Sequence, residues 1–169
     1  EQCERAGVKA INIITSGYGE QEGDEGKQRQ EHLREFARRT GIRIVGPNCL
    51  GNISVPAMMC AMSGSFDVLK PGPVGLVLQS GLLAYSLVTP AFDRDMGFSY
   101  VVTTGNEADL EAADLMRYYV EDDETRVIGC FIEQFRDPQK LIEVAEMAAE
   151  REKPIVVLKI GRSAKGQRA

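Results

Sequence analysis

Short apolar runs alternate along the second half of the chain with longer amphipathic segments. Four runs, over 74–78, 98–103, 127–132 and 155–160, are predicted to be strands, and the first has the length expected for a strand buried on both faces of a sheet. Segments that favour a helix follow the first three runs, from residue 82, over 110–120 and from residue 138. Pro138 follows Asp137 in the favoured first helical position, and Asp109 is the predicted cap of the helix over 110–120.

Strands that alternate with helices through short connections are typical of a parallel sheet. The pattern predicts an α/β fold with a flavodoxin-like doubly wound parallel sheet. In such a sheet ligands bind at the carboxyl ends of the strands. The loops at Ser80, Gly105-Asn106 and Glu133 are all expected at that edge.

A separate β-α-β pattern precedes this sheet. A β-like run over 8–15 leads into a Gly-rich acidic loop and a charged helix over 27–39 with a narrow apolar stripe. Thr40-Gly41 is expected to end that helix before a strand over 42–45. Residues 52–70 have no clear period and are predicted to be a connector with room for one short hairpin, with a domain boundary near Lys70.

Composition narrows the class of protein. With 169 residues, 43% of them hydrophobic and 27% charged, the chain has enough apolar residues for a globular core. No apolar run approaches the length of a membrane span, and the net charge of -5 argues against nucleic-acid binding. The four cysteines form no CxxC pair, so the sequence predicts neither a zinc site nor disulfides, and reduced thiols favour the cytoplasm.

The segment Gln79-Ser80-Gly81 is a candidate anion site. It joins a predicted strand to a helix that starts near Leu82, and the first N–H groups of a helix have no intrahelical partners. These donors lie at the positive end of the helix dipole and suit a phosphate. Taken alone, however, the segment favours the simpler interpretation of Ser80 as an N-cap on an ordinary turn.

Three other residues carry candidate chemistry. Glu133 ends an apolar strand, where it is either solvated at the sheet rim, which spacing slightly favours, or held to orient a cationic or hydrogen-bonding group. His32, the single histidine, lies among charged residues and is interpreted as a solvated surface residue. Cys49 is interpreted as a small residue in a tight turn rather than a nucleophile, since no histidine is available to activate it.

Five loop motifs occur in one order along the chain. They are Ile-Val-Gly-Pro-Asn-Cys-Leu-Gly (44–51), Val-Gly-Leu-Val-Leu-Gln-Ser-Gly (74–81), Gly-Phe-Ser (97–99) with Thr-Gly-Asn (104–106), Phe-Ile-Glu (131–133), and Lys-Pro-Ile-Val-Val-Leu-Lys (153–159) with Gly-Arg-Ser (161–163). With these motifs the chain resembles the NDP-forming acyl-CoA synthetases, which include ADP-forming acetyl-CoA synthetase and the α subunit of succinyl-CoA synthetase. The resemblance spans nearly the whole chain.

The resemblance implies a division into domains and an activity. Residues 1–51 would be the C-terminal part of a CoA-binding Rossmann-like domain, 52–70 a connector, and 71–169 a flavodoxin-like succinyl-CoA ligase-like domain. Acyl-CoA would be made or used through an acyl phosphate and a phosphohistidine. The phosphoryl group would pass to ADP or from ATP, with Mg, in an ATP-grasp domain or a β subunit.

The resemblance also implies roles for individual residues. Ser80, Gly81 and Leu82 would receive the phosphoryl group, and the catalytic carboxylate Glu133 would hold the active histidine. The residues implied in binding CoA are Thr15, Ser16, Gly17, Asn48 and Cys49.

Two segments of that family fall outside the chain. Its Gly-rich phosphate loop should precede residue 1 and its active histidine should follow Ala169, so we expect the natural protein to be longer, active only when intact, and oligomeric. Two alternatives stay open: a non-catalytic CoA- or acyl-CoA-binding regulatory module, as in domains fused to acetyltransferases, and a flavodoxin-like protein that binds FMN. The basic tail, Arg162, Lys165 and Arg168, either meets a nucleotide or partner subunit or is an exposed loop.

Overall fold

The structure, a computed structural model, describes residues 1–63 and 70–160, with the side chain of residue 92 left out. The predictions for Gly161-Arg162-Ser163 and for Lys165 and Arg168 lie outside the described residues. In chain order the elements are α1 (Gln2–Arg5), β1 (Ala10–Asn12), α2 (Asp24–Thr40), β2 (Arg43–Val45), β3 (Gly51–Ser54), β4 (Met59–Met62), β5 (Pro71–Leu78), α3 (Leu82–Asp93), β6 (Phe98–Thr103), α4 (Ala112–Glu121), β7 (Val127–Ile132), α5 (Pro138–Glu150) and β8 (Ile155–Lys159).

The first unit is the predicted β-α-β pattern. Strands β1 and β2 pair in parallel, with Ile11 opposite Ile44, and α2 connects them. Gly41 ends α2 in the left-handed conformation, at a φ of 72°, and donates its N–H to the carbonyl of Ala37. This confirms the helix end predicted at Thr40-Gly41.

The second unit is a six-stranded mixed sheet in the order β4-β3-β6-β5-β7-β8. Strands β6, β5, β7 and β8 are parallel, which confirms the flavodoxin-like prediction. The hairpin β3–β4 joins antiparallel at the other edge, where Asn52 lies opposite Val102. Part of the predicted connector therefore extends this sheet, and the assignment of the two units to a CoA-binding and a ligase domain stays a prediction.

Helices cover both faces of the parallel strands. On one face α3 packs Ala84 and Val88 against a cluster that includes Leu78. On the other face α4 and α5 pack Met116 and Val144 against β5, β6 and β7. These clusters explain why the strands β5 to β7 are apolar on both faces. Among the described residues, no helix has both the length and the apolar character needed to cross a membrane.

The start of α4 differs from the prediction. Asp109 does not cap this helix, which begins at Ala112 with Glu111 at the N-cap. The carboxylate of Asp109 instead accepts hydrogen bonds from Arg43 Nε at 2.9 Å and from the N–H of Ile44 at 2.8 Å. Asp109 therefore connects the loop before α4 to β2 of the first unit instead of capping the helix. The helix α5, by contrast, starts at Pro138 as predicted, and Asp137 caps it by accepting from the N–H of Gln139 at 3.0 Å.

Candidate functional site

A cavity of about 1470 Å³ lies at the carboxyl edge of the second sheet. Loops that follow β2, β5, β6 and β7 form its walls, together with part of α2 and the loop before it. Both units therefore contribute to one cavity, as expected for ligand sites at the carboxyl ends of parallel strands. The predicted residues that line it are Asn48, Cys49, Ser80, Gly81, Leu82 and Glu133.

Ser80 and Gly81 lie half-buried in the loop before α3. No residue within 1–63 and 70–160 accepts a hydrogen bond from the N–H of Ser80 or Gly81. The loop therefore presents unpaired donors at the helix start, as predicted from the sequence. A Cβ on Gly81 would lie 2.9 Å from Leu50 Cγ, so the glycine also permits close packing of Leu50.

Gln79 joins this loop to the loop that carries Glu133. Its Oε1 accepts from the N–H of Glu133 at 2.6 Å and from the N–H of Gln134 at 2.9 Å, while its Nε2 donates to the Gln134 carbonyl. Ser80, Gly81 and Glu133 thus share one rim. The side chain of Glu133 is exposed, and its backbone carbonyl accepts from Lys159 Nζ at 2.6 Å.

Glu107 is a buried acid on the wall of the same cavity, with only 2% of its surface exposed. Its Oε1 accepts from Thr104 Oγ1 at 2.8 Å and from the N–H of Ala112 at 2.9 Å. Burial raises the pKa of Glu107, although hydrogen bonds from Gln79 and Thr104 favour its carboxylate.

Sequence reasoning missed Glu107, and it included Gln79 in the candidate anion segment without giving its side chain a role. The available signal was their position, since each is a polar residue in a loop that directly follows a buried strand. These loops were expected at the ligand-binding edge of the sheet, but within them the prediction named Ser80 and Asn106 rather than the side chains of Gln79 and Glu107.

The loop over 46–49 meets the loop over 104–107 across the two units. Asn48 Nδ2 donates to Asn106 Oδ1 at 3.1 Å, and the N–H of Asn106 donates to the Pro47 carbonyl at 2.9 Å. Cys49 is buried, and its Sγ lies 3.3 Å from the Ile13 carbonyl that accepts its hydrogen bond. Burial raises the pKa of the Cys49 thiol, which disfavours the thiolate a nucleophile would need.

Thr15, Ser16 and Gly17 do not line the cavity but adjoin its wall. The carbonyl of Thr15 accepts from the N–H of Asn48 at 3.0 Å. The N–H of Gly17 donates to the carboxylate of Glu20, which also accepts from Asn106 Nδ2 and does line the cavity. Their contact with CoA therefore stays a prediction.

The remaining candidates lie elsewhere. His32 is exposed on α2, as predicted, and does not line this cavity. Across the described ranges, 1–63 and 70–160, no three His, Cys, Asp or Glu side chains are grouped to hold a metal ion.

Comparison with known proteins identifies relatives of the whole chain. Residues 71–169 match the family model of the succinyl-CoA ligase-like flavodoxin domain. The α subunit of ADP-forming acetate–CoA ligase I from Pyrococcus furiosus is 43% identical over 169 residues, which are 100% of this chain and 36% of that subunit. ADP-forming 4-hydroxybutyrate–CoA ligase from Nitrosopumilus maritimus is 33% identical over 171 residues, covering 100% of this chain and 24% of that enzyme.

A solved structure agrees with these relatives. The dinucleotide-forming acetyl-coenzyme A synthetase 1 of Ca. Korarchaeum cryptofilum, in complex with phosphate and ADP, superimposes with a TM-score of 0.88 at 36% identity. The match covers 98% of this chain and 35% of that chain, so the sequence spans between about a quarter and about a third of the length of these relatives. By the domain match and by these relatives, the chain belongs to the NDP-forming acyl-CoA synthetase family, with a succinyl-CoA ligase-like flavodoxin domain over residues 71–169.

Proposed function

We propose that this chain is part of an ADP-forming acyl-CoA ligase that makes or uses acyl-CoA through an acyl phosphate and a phosphohistidine. The observation that carries the proposal is the shared rim, where Gln79 joins the unpaired donors of Ser80 and Gly81 to the loop of Glu133. Relatives named as ADP-forming acetate–CoA ligases, and a structural relative in complex with phosphate and ADP, support this chemistry.

The N–H groups of Ser80 and Gly81 would stabilise the transferred phosphoryl group. They precede α3, so the positive end of its dipole adds to the hydrogen bonds offered to a dianion. Donors fixed before the reaction stabilise developing negative charge without the cost of reorganising. The Ser80–Gly81 part of the cavity wall therefore suits a site that binds the phosphoryl group by hydrogen bonds, without a covalent bond to this chain.

The carboxylate of Glu133 would hold the active histidine by its ring N–H. A carboxylate in that position selects one tautomer and stabilises the charged or phosphorylated ring. We place that histidine in the remainder of a longer protein, and the nucleotide with its Mg in an ATP-grasp domain of that protein or in a separate β subunit. Asn48 and Cys49, on the wall contributed by the first unit, would face CoA. The oligomeric assembly and the cytoplasmic location stay predictions.

The test is Glu133→Gln in the full-length protein, with phosphohistidine measured after incubation with labelled ATP. We expect about a 10- to 100-fold loss of phosphorylation rate, because the ring loses its orienting acceptor, while CoA binding is retained. Glu146→Gln, an exposed acid on α5 outside the cavity, is the matched control and should phosphorylate normally.

Two results would contradict the proposal. Normal phosphorylation of Glu133→Gln would remove the role assigned to that carboxylate. An unchanged full-length protein, assayed together with its β subunit where the nucleotide site lies on a separate chain, that binds CoA but forms neither phosphoenzyme nor acyl-CoA would instead support a non-catalytic regulatory module.

A further inference from the structure

The amide of Gln79 has a defined orientation in the cavity wall. Its oxygen accepts two backbone N–H groups, from Glu133 and Gln134, and its nitrogen donates to the Gln134 carbonyl. A rotation of the amide by 180° would place NH₂ against two N–H donors and oxygen against a carbonyl. The contacts between the two loops therefore depend on which way this amide faces.

Glu107 follows β6 and Glu133 follows β7, and these two strands flank β5, the strand that leads into Gln79, on opposite sides. Leu78 of β5 pairs with Thr103 of β6, and the N–H of Thr104 donates to the Leu78 carbonyl at 2.9 Å, so the loops after the two strands leave the sheet side by side. Gln79 and Glu107 then line the same cavity.

The carboxylate of Glu107 is itself held firmly. Thr104 and the N–H of Ala112 both bind Oε1, which leaves Oε2 as an acceptor for the second proton of the Gln79 NH₂ group. Because Ala112 is the first residue of α4, the carboxylate also lies at the positive end of that helix.

We propose that Glu107 is a positioning residue, whose buried carboxylate holds the Gln79 amide in the one orientation that joins the Ser80 loop to the Glu133 loop. Sheet order supports this, because β5 lies between β6 and β7, so the loop after β5 adjoins the loops of both neighbours. The inference rests on the proposed function, since it assigns Glu107 and Gln79 to the phosphoryl-binding site of that reaction.

The energetic position of Glu107 agrees with a functional role. Burial raises its pKa, so the charged form destabilises the folded protein at neutral pH relative to an exposed glutamate. An acid that costs stability at the wall of a cavity is typical of a functional site.

The decisive variant is Glu107→Gln in the full-length protein. Its amide oxygen can keep the bonds from Thr104 and Ala112, but its NH₂ then meets the NH₂ of Gln79 and opposes the native orientation. We expect kcat for ADP-dependent acyl-CoA turnover to fall about 10- to 100-fold through misplacement of the two loops, with KM for CoA little changed. Thermal unfolding checks that the variant is folded.

A second variant and a double variant separate positioning from general damage. Gln79→Ala removes the bridge directly and should lower kcat to a similar extent. In the Gln79→Ala background, Glu107→Gln should add no more than about a 2-fold further loss, because a residue that acts through Gln79 has nothing left to position. Independent structural damage would multiply the two losses instead.

Glu111→Gln is the matched control. Glu111 is a neighbouring acid with 6% of its surface exposed, but it binds Lys140 Nζ at 2.7 Å and does not line the cavity. The same chemical change there should leave kcat near that of the unchanged protein.

The outcomes distinguish the inference from the proposed function. If the unchanged protein is active, two results overturn the inference alone. The first is an undiminished kcat in Glu107→Gln or in Gln79→Ala. The second is a loss in the double variant that equals the product of the two single losses. An unchanged protein that forms no acyl-CoA with any acid overturns the proposed function and the inference together. Loss in both single variants without further loss in the double variant supports the inference.

Discussion

Gly105 controls how closely the two units approach, and replacing it with alanine should separate them. A Cβ at this position would lie 2.2 Å from the Pro47 carbonyl oxygen and 2.4 Å from that of Asn48. Both atoms belong to backbone, so no side-chain rotation can relieve the overlap. The residue also has a φ of 57°, which alanine adopts only with strain.

Gly105→Ala should lower the unfolding free energy through backbone strain and through steric overlap. Another glycine, Gly41, allows the backbone strain to be measured by itself. Gly41 has a φ of 72°, but a Cβ there would meet nothing within 4 Å. Gly41→Ala should therefore cost only the left-handed strain, about 1–2 kcal/mol of unfolding free energy. Gly105→Ala adds steric overlap, for which about 1–3 kcal/mol more is typical of overpacked sites.

The assay is thermal or urea unfolding of the two variants beside the unchanged protein. With about 2–4 °C of melting temperature lost per kcal/mol in a protein of this size, the two variants should be clearly resolved. Gly105→Ala should also weaken ligand binding in the cavity, because Asn48 and Asn106 must move apart. Equal destabilisation by the two substitutions would refute the close approach of the loops.

Two further predictions concern ionisation. Burial tends to raise the pKa of Glu20, but hydrogen bonds from Gly17, Asn106 and Tyr18 outweigh burial and lower the pKa below 4.5. The ionised Glu20 therefore stabilises the folded protein above pH 4.5. This stabilisation is lost as the pH falls through the lowered pKa. Urea midpoints across the acid range should fall less steeply in Glu20→Gln, and parallel curves would contradict this. Burial raises the pKa of Cys130 to about 12, so brief alkylation followed by mass spectrometry should label exposed Cys60 and spare Cys130; equal labelling would contradict that burial.

The parallel part of the fold was predictable because its signals are local. The strands over 98–103 and 127–132 were predicted to the residue, since each is a short, mostly buried run bounded by turn residues. The hairpin β3–β4 was not placed in the sheet, because its strands have four residues each and Met58 and Met59 are exposed. Its position depends on pairing with β6, some fifty residues further along the chain.

The errors in predicting the roles of single polar residues also arise from contacts between residues that are distant in sequence. Asp109 has the sequence context of a helix cap, yet it binds Arg43 and Ile44 of the first unit. Local propensity ranks the residues that suit a helix start, but it contains no information about a cation that the fold brings from 66 residues away. The same reason hid Glu107, whose burial follows from the loops packed around it rather than from its neighbours in sequence.

The central place of Gln79, however, follows from topology that the sequence did predict. In chain order β6 stands between β5 and β7, whereas the doubly wound order places β5 between the other two. The residue that leaves the central strand is then the one that reaches the loops of both neighbours. Gln79 has an amide with donors and acceptor at one end, which suits it to bridge a carboxylate on one side and backbone groups on the other. A polar residue directly after the central strand of such a sheet is therefore a candidate for the site, even before coordinates show its partners.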